Sequence, residues 1–362
     1  MDYIIIISFI LMSTFLIRFY ALHQSKLALL FLIGLVLIVC AFRKINPLTP
    51  YNDAYEYSQF YLRAFGNSFR EYLSVMQSSE VLFYGFFWIC SKLELSYVTV
   101  RMIYYMIMLF LTLKIEKEIN FERSSYVDHI FLFTNFVLAD CLMRNCFAYV
   151  VGWYSIALFL NKKNIKAFLC ALVSVFIHSS GIIMVAFIVF ALVIQNIKKL
   201  STAVLFTVVF YGLIINIFPA LLRYLGDENE KISYYMATTT GSFAITTSTI
   251  RILILLMLLI LYNVRNHFKY DEKYKQVLLI CLFSLSITLM QLVFGIAYRF
   301  LYYFEILNMI AFGYIRSTPC ELKIGIEDYE VKNVVMSFIC IMVLVLFIRR
   351  SLTGYGLIPI TW

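Results

Sequence analysis

Arg144 stands in the stretch DCLMRNCFAYVVGW, residues 140–153, between two strongly apolar runs and with only Asp140 and Asn145 as polar neighbours. A charge held at the centre of a bilayer costs roughly 2.5–3.5 kcal/mol on insertion scales, and less near the interface, so an ionisable group at such depth is a functional candidate by default. A guanidinium is planar, permanently charged and able to grip two phosphate oxygens at once. The chemistry it offers is binding a phosphate and stabilising charge that develops there. The structural alternative is an ion pair with Asp140, four residues earlier on the same helical face, that merely pins the turn.

Three other groups of residues offer chemistry. His178 ends an apolar run in VFIHSSGIIMV, where Ser179, Ser180 and Gly181 open a turn. An imidazole there either exchanges a proton with a substrate, binds an anion when protonated, or is a hydrogen-bonded structural residue. In LTPYNDAYEYSQFYLRAFGNSF, Thr49 suits a helix cap, Pro50 the first turn and Gly66 the exit. Asp53, Tyr57 and Tyr61 then share one face, a carboxylate and two rings such as carbohydrate sites use, although the tyrosines equally suit an interfacial belt. Arg299 opens a later run, flanked by Tyr298, Tyr302 and Tyr303, and repeats the situation of Arg144.

The elements that must position these residues are membrane helices. Of the 362 residues, 62% are apolar and only 14% charged, and the mean hydropathy is +0.86, far outside the soluble range. We expect an all-α, polytopic transmembrane bundle forming one domain over residues 1–362. Its spans are placed near 3–17, 27–42, 97–113, 128–143, 146–160, 165–177, 179–194, 202–218, 251–264, 277–297, 300–315 and 333–348, twelve in all. The first run lacks a basic flank and a small-residue cleavage site, so it reads as a retained helix. Val81 to Cys90 is too short to cross comfortably and reads as a re-entrant or interfacial helix. The eight cysteines show no metal-ligand spacing and read as packing residues.

Lysine and arginine in the short loops set the orientation. NKKNIK (161–166), QNIKKL (195–200), RNHFKYDEKYK (265–275) and KIEKEINFER (114–123) read as cytoplasmic. That places the outer loops near 43–79 and 219–250, together with the Arg144 turn, His178 and Tyr298–Arg299, on the opposite face. In this topology 13 of the 16 lysines lie inside, whereas Arg63, Arg70, Arg144, Arg223, Arg251 and Arg299 are among the arginines outside. A positive-inside signal counts both residue types alike, so an outer enrichment of arginine needs another cause. A phosphate ligand at the outer rim is one; headgroup snorkelling is the other. The loop 219–250, charged at its start and rich in Ser and Thr afterwards, reads as either a lid or a solvated connection.

The series NDAYEYSQFY, SSEVLFYGFF with Glu80, MRNCFAYVVGW, the KK inner loop, IHSSG and YRFLYYF resembles, in this order, the EpsG-like branch of Wzy-type polysaccharide polymerases. The resemblance implies a bacterial plasma-membrane enzyme that joins oligosaccharide repeat units carried on undecaprenyl diphosphate, extending O-antigen, capsule or exopolysaccharide on the outer face. Carried over by position, it makes Arg144, His178, Asp53 and Arg299 catalytic. Arg223, Arg251, Tyr57, Tyr61, Glu80 and Tyr298 become candidates for substrate binding. No cluster of carboxylates or histidines suggests a metal site, so arginine is expected in place of a metal ion; no cofactor and no nucleic acid are expected, and the partners are the bilayer, a chain-length regulator and a flippase. Asn145 stands where relatives often have glutamine, and GLIPITW only loosely follows the family's Pro-Tyr ending. A ligase or other lipid-linked sugar transferase shares the arginine and histidine logic. A flippase would need polar residues through the depth of a central cavity, and an acyltransferase would place an acid beside its histidine in sequence.

Overall fold

A computed structural model describes residues 23–42, 53–76, 78–119, 142–195, 202–213, 272–290 and 298–307, with isolated residues within 8–20 and at 197, 216 and 310. Among these, every regular element is helical. In chain order they are α1 (Lys26–Phe42), α2 (Asp53–Leu62), α3 (Phe69–Met76), α4 (Val81–Lys92), α5 (Tyr97–Ile119), α6 (Met143–Leu160) and α7 (Asn164–Ile177). A 3-10 turn, Ser179–Gly181, follows α7 and leads into α8 (Ile182–Ile194). Then come α9 (Thr202–Leu213), α10 (Glu272–Met290) and the single turn α11 (Tyr298–Leu301).

The chain divides into two compact units, one of residues 1–184 and 336–362, the other of residues 185–335. Within the second, Phe187, Phe190, Phe210, Phe283 and Phe304 form one aromatic cluster with ring centroids 4.9–5.8 Å apart. Lys275 of α10 donates to the carbonyls of Gln195 and Ile197, which places a cation at the C-terminal end of α8 where the helix dipole favours it.

In the first unit the α6–α7 hairpin is built on small residues. Ala148, Ser155, Ala167, Ala171 and Ser174 are completely buried, and their short side chains let two backbones approach closely, as membrane helix pairs require. Ser155 Oγ donates to the carbonyl of Ala167 at 2.6 Å and Ser174 Oγ to that of Ala148 at 3.0 Å. On each helix the donor and the acceptor lie seven residues apart, Ala148 and Ser155 on α6 and Ala167 and Ser174 on α7, so the antiparallel seam is bonded at matching levels. The connecting turn has Lys162 at φ 59°, with Lys162 N–H bonded to Phe159 O and Lys163 N–H to Leu158 O, a Schellman ending. Tyr104 of α5 donates to Met143 O at 3.0 Å, while Lys163 reaches Glu118 at the other end of α5 at 2.7 Å. The helices α5 and α6 therefore run parallel, and Lys114 and Lys117 of α5 share with Lys162 and Lys163 of the connecting turn the end opposite to Arg144 and His178.

The outward face of α7 is Ile165, Leu169, Val173 and Phe176, all exposed, at helical spacing. Leu27, Leu30, Phe31 and Ile38 do the same on α1, and Leu205, Val208, Val209 and Leu213 on α9. Continuous apolar stripes of this kind are what helices present to lipid. Only α5 among the described residues is long and apolar enough to cross a membrane by length and composition; α1, α4, α7, α8 and α9 are shorter apolar helices. The expected spans at 97–113, 146–160, 165–177 and 179–194 correspond to α5, α6, α7 and α8. Those at 251–264 and 333–348, and residues 128–141 of the span expected at 128–143, lie outside the described residues, which do not give the count of twelve.

Residues 53–92 fold as a short helical layer. Its middle helix, α3, starts with a reciprocal capping box: Glu71 accepts from Ser68 N–H at 2.8 Å and Ser68 Oγ from Glu71 N–H at 3.3 Å. Gly66, at φ +77°, makes the preceding turn, while Thr49 and Pro50 lie outside the described residues. α4 has 12 residues, so at 1.5 Å each it rises about 18 Å, well short of a hydrocarbon core of about 30 Å. Its ending puts Glu94 at φ 53°, closed by Glu94 N–H to Ser91 O and Leu95 N–H to Cys90 O. The left-handed region costs an L-residue roughly 1–2 kcal/mol. Glu94 is exposed, so Glu94→Gly should raise stability by about 0.5–1 kcal/mol, read as a higher unfolding midpoint of the detergent-solubilised protein; an unchanged or lower midpoint would contradict this account of the turn.

Candidate functional site

The SSE turn delivers a carboxylate to the head of α4. Ser78 Oγ accepts from Glu80 N–H at 3.1 Å, and Glu80 is the N-cap residue of α4, where the dipole of the helix suits an anion. From α6, Arg144 donates through Nη1 to Glu80 Oε2 at 2.7 Å and to Tyr84 Oη at 3.1 Å. From the junction of α7 and the 3-10 turn, His178 Nδ1 bonds Glu80 Oε1. One carboxylate thus joins an arginine 64 residues away and a histidine 98 residues away.

Burial makes this a strong grouping. The Glu80 side chain is 6% exposed, that of His178 18% and that of Arg144 26%, so the acid is sealed while both of its partners keep an accessible edge. Desolvation would raise the Glu80 carboxyl, but the hydrogen bond to His178 and the charge and hydrogen bond of Arg144 outweigh it and hold the group below the usual carboxylate range. It is therefore ionised throughout the neutral range. The rings of Tyr57 and Tyr84 lie 5.8 and 6.0 Å from the guanidinium carbon and supply a cation–π floor.

Arg144 lies in the first turn of α6, and no side chain caps that N-terminus at Leu142. An uncapped helix start presents backbone N–H groups and a partial positive charge. A cation in that position is unfavourable by itself, and Glu80 offsets it. Together, arginine and helix terminus form a surface of one sign at which an anion is favoured.

His178 is fixed by its backbone. It is extended, φ −153° and ψ 132°, its N–H donates to Ser174 O at 3.0 Å, and Gly181 N–H donates to His178 O at 2.8 Å. A Cβ on Gly181 would meet Ser174 C at 2.5 Å and Ser174 O at 2.6 Å. Only glycine lets the turn sit against α7 at this point.

Of the residues expected to carry the site, Arg144, His178, Glu80 and Tyr57 are brought together. The partner of Arg144 is Glu80; Asp140, its expected structural partner, lies outside the described residues. Tyr57 and Tyr61 do share a face of α2, but the face turns inward, and both residues are 1% exposed. Tyr57 packs on Phe60 and Phe83. Tyr61 packs on Phe65, Phe87 and Tyr97 and donates its hydroxyl to Leu95 O at 2.6 Å, which gives it a packing position with no open ring face. Asp53 is the first residue of α2, and Tyr298 and Arg299 open α11; their side chains, like the whole of Arg223 and Arg251, lie outside the described residues. Tyr84, which sequence reasoning passed over, touches Arg144 directly. Glu80 offered one local signal, a lone carboxylate at the head of an apolar helix, which must find a cation if it is buried. Among the described residues no three His, Cys, Asp or Glu side chains are grouped to hold a metal ion.

The model of the EpsG family aligns with residues 26–360. No curated protein matches the chain, and no solved structure does.

Proposed function

The chain belongs to the EpsG family, a membrane family with a polysaccharide-polymerase-like role, and from that premise we propose that it joins oligosaccharide repeat units carried on undecaprenyl diphosphate at the outer face of the plasma membrane. The observation that carries this reading is the convergence of Arg144 and His178, from separate helices, on the buried carboxylate of Glu80. A polymerase of this kind needs a cation for a departing diphosphate and a base for an attacking hydroxyl, and these two residues supply both.

The donor diphosphate docks on the accessible edge of Arg144 and the N–H groups at the start of α6. A hydroxyl of the acceptor sugar attacks the anomeric carbon of the donor, giving its proton to His178. The new C–O bond forms as the bond from the anomeric carbon to the phosphate oxygen breaks, and the electron pair leaves with the lipid diphosphate. Charge develops on phosphate oxygens within reach of a fixed guanidinium, an interaction worth roughly 2.7–4 kcal/mol when the donor is pre-aligned. Asp53 is the rival base, and Arg299, Arg223, Arg251 and Tyr298 are further candidates for contacts to donor or acceptor. Lipid-linked substrates reach the site laterally from the bilayer.

The test is the size distribution of surface polysaccharide on a gel, from a deletion strain complemented with wild type or with His178→Gln at matched protein level. The expected result is single repeat units in the deletion, a ladder with wild type and no ladder with the variant. Accumulation of long lipid-linked chains in the deletion would replace the polymerase reading with a ligase.

A further inference from the structure

We propose that Glu80 is a positioning residue: it keeps the proton of neutral His178 on Nδ1, leaves Nε2 as the proton acceptor, and makes no contact with substrate itself. Both oxygens of the carboxylate are engaged, Oε1 with His178 Nδ1 and Oε2 with Arg144 Nη1. The side chain is 6% exposed, against 18% for His178, so a substrate reaches the ring and not the acid. A carboxylate held ionised only accepts hydrogen bonds, so the imidazole nitrogen that faces it must carry the proton. The remaining nitrogen, Nε2, has no protein partner among the described residues and is free to take the hydroxyl proton. Once it does, the imidazolium rests against a buried anion.

Arg144 completes the device. Its hold on Oε2 fixes the plane of the carboxylate and so the direction in which Oε1 points at the ring. Glu80 of α4 meets His178 directly, and Arg144 of α6 meets Glu80 and Tyr84 behind it. The extended backbone of His178 and its N–H bond to Ser174 O fix the point from which the ring projects. Orienting groups of this kind set both the tautomer and the geometry of the base.

The proposal rests on the polymerase reading only for the identity of the hydroxyl that Nε2 deprotonates, and the experiment separates the two. Glu80→Gln preserves volume, but its amide is directional. Arg144 offers only donors, so the amide oxygen turns to the guanidinium and the NH₂ group faces His178. Nδ1 must then accept, and the proton moves to Nε2. The readout is ¹⁵N NMR of the imidazole nitrogens in the full-length protein in nanodiscs, with the signal of His178 among the four histidines assigned by its loss in His178→Gln. We expect the Nδ1–H form in wild type and the Nε2–H form in Glu80→Gln. We also expect a kcat for chain extension lower by about 10²-fold or more, the range for a displaced acid–base group, with no rise in KM for the donor. An Nε2–H form in wild type, or a tautomer unchanged in Glu80→Gln, overturns the proposal, and lowered activity with an unchanged tautomer would make Glu80 merely structural. If the tautomers behave as stated while wild type extends no chains, the polymerase reading fails and the positioning role stands.

Discussion

Arg144→Lys should lower chain extension by about 10²–10³-fold while the protein still folds. Lysine keeps the charge, so the buried Glu80 retains a cation and the helical layer of residues 53–92 keeps its anchor. What is lost is the planar fork. Arg144 Nη1 meets Glu80 and Tyr84 at once, above the rings of Tyr57 and Tyr84, and the plane of the guanidinium sets the direction of the accessible edge that a phosphate would meet. An ammonium is a point charge that satisfies Glu80 or a ligand, not both in one orientation. Removing a pre-aligned donor to developing oxyanion charge costs about 10²–10³ in rate. Arg144→Ala is the less informative variant, because leaving a buried carboxylate with half its partners destabilises by roughly 3–5 kcal/mol. Turnover of lipid-linked repeat units by equal amounts of folded protein decides it. Near-wild-type turnover by the lysine variant would reduce Arg144 to a structural anchor.

Gly181→Ala should be nearly as damaging, and for a reason that has nothing to do with charge. The new methyl would lie 2.5 Å from Ser174 C and 2.6 Å from both Ser174 O and Ser174 Oγ, and Ser174 O accepts the N–H of His178. Backbone atoms in a helix cannot rotate away as a side-chain tip can. The end of α7 or the 3-10 turn must shift, carrying His178 with it. Overpacking of this sort costs about 1–3 kcal/mol, and a base displaced by about 1 Å costs on the order of 10²-fold in rate. Removing Ser174 Oγ in Ser174→Gly/Gly181→Ala should not rescue, since the two backbone clashes remain. Gly34→Ala is the control, because a Cβ there meets nothing within 4 Å. Thermal unfolding in detergent and turnover together check it; a Gly181→Ala protein with wild-type midpoint and rate would show that His178 is not held as described.

Much of the local structure was legible in the sequence. The lysine-bearing turn between two apolar runs is the α6–α7 hairpin, His178 does end a helix before a tight turn, and Val81 to Cys90 does form a helix too short to cross a membrane. These features depend on residues within one or two turns of each other. The shared face of Tyr57 and Tyr61 was legible too, but not the direction it would face. Tyrosine has an apolar ring and a polar tip, so it suits a sugar, a membrane interface or a core with a carbonyl in reach; Leu95 O provided the last of these for Tyr61. The partner of Arg144 was not legible at all. Asp140 stood four residues away, whereas Glu80 is 64 residues away, and nothing in a single sequence says which cation a buried carboxylate will meet. Arginine's preference for one face pointed to an anionic ligand, but it did not separate Arg144 from Arg223, Arg251 or Arg299. The Glu80 contact distinguishes Arg144 among the described residues.

The central claim is that Arg144 and His178 form one site at which repeat units are joined. The most direct measurement is the product distribution when the purified protein in proteoliposomes is given a single undecaprenyl-diphosphate-linked repeat unit, with wild type compared with His178→Gln at equal folded protein. Wild type should yield a ladder with stoichiometric release of undecaprenyl diphosphate, and His178→Gln a rate at least about 10²-fold lower. An unchanged ladder from His178→Gln would contradict it.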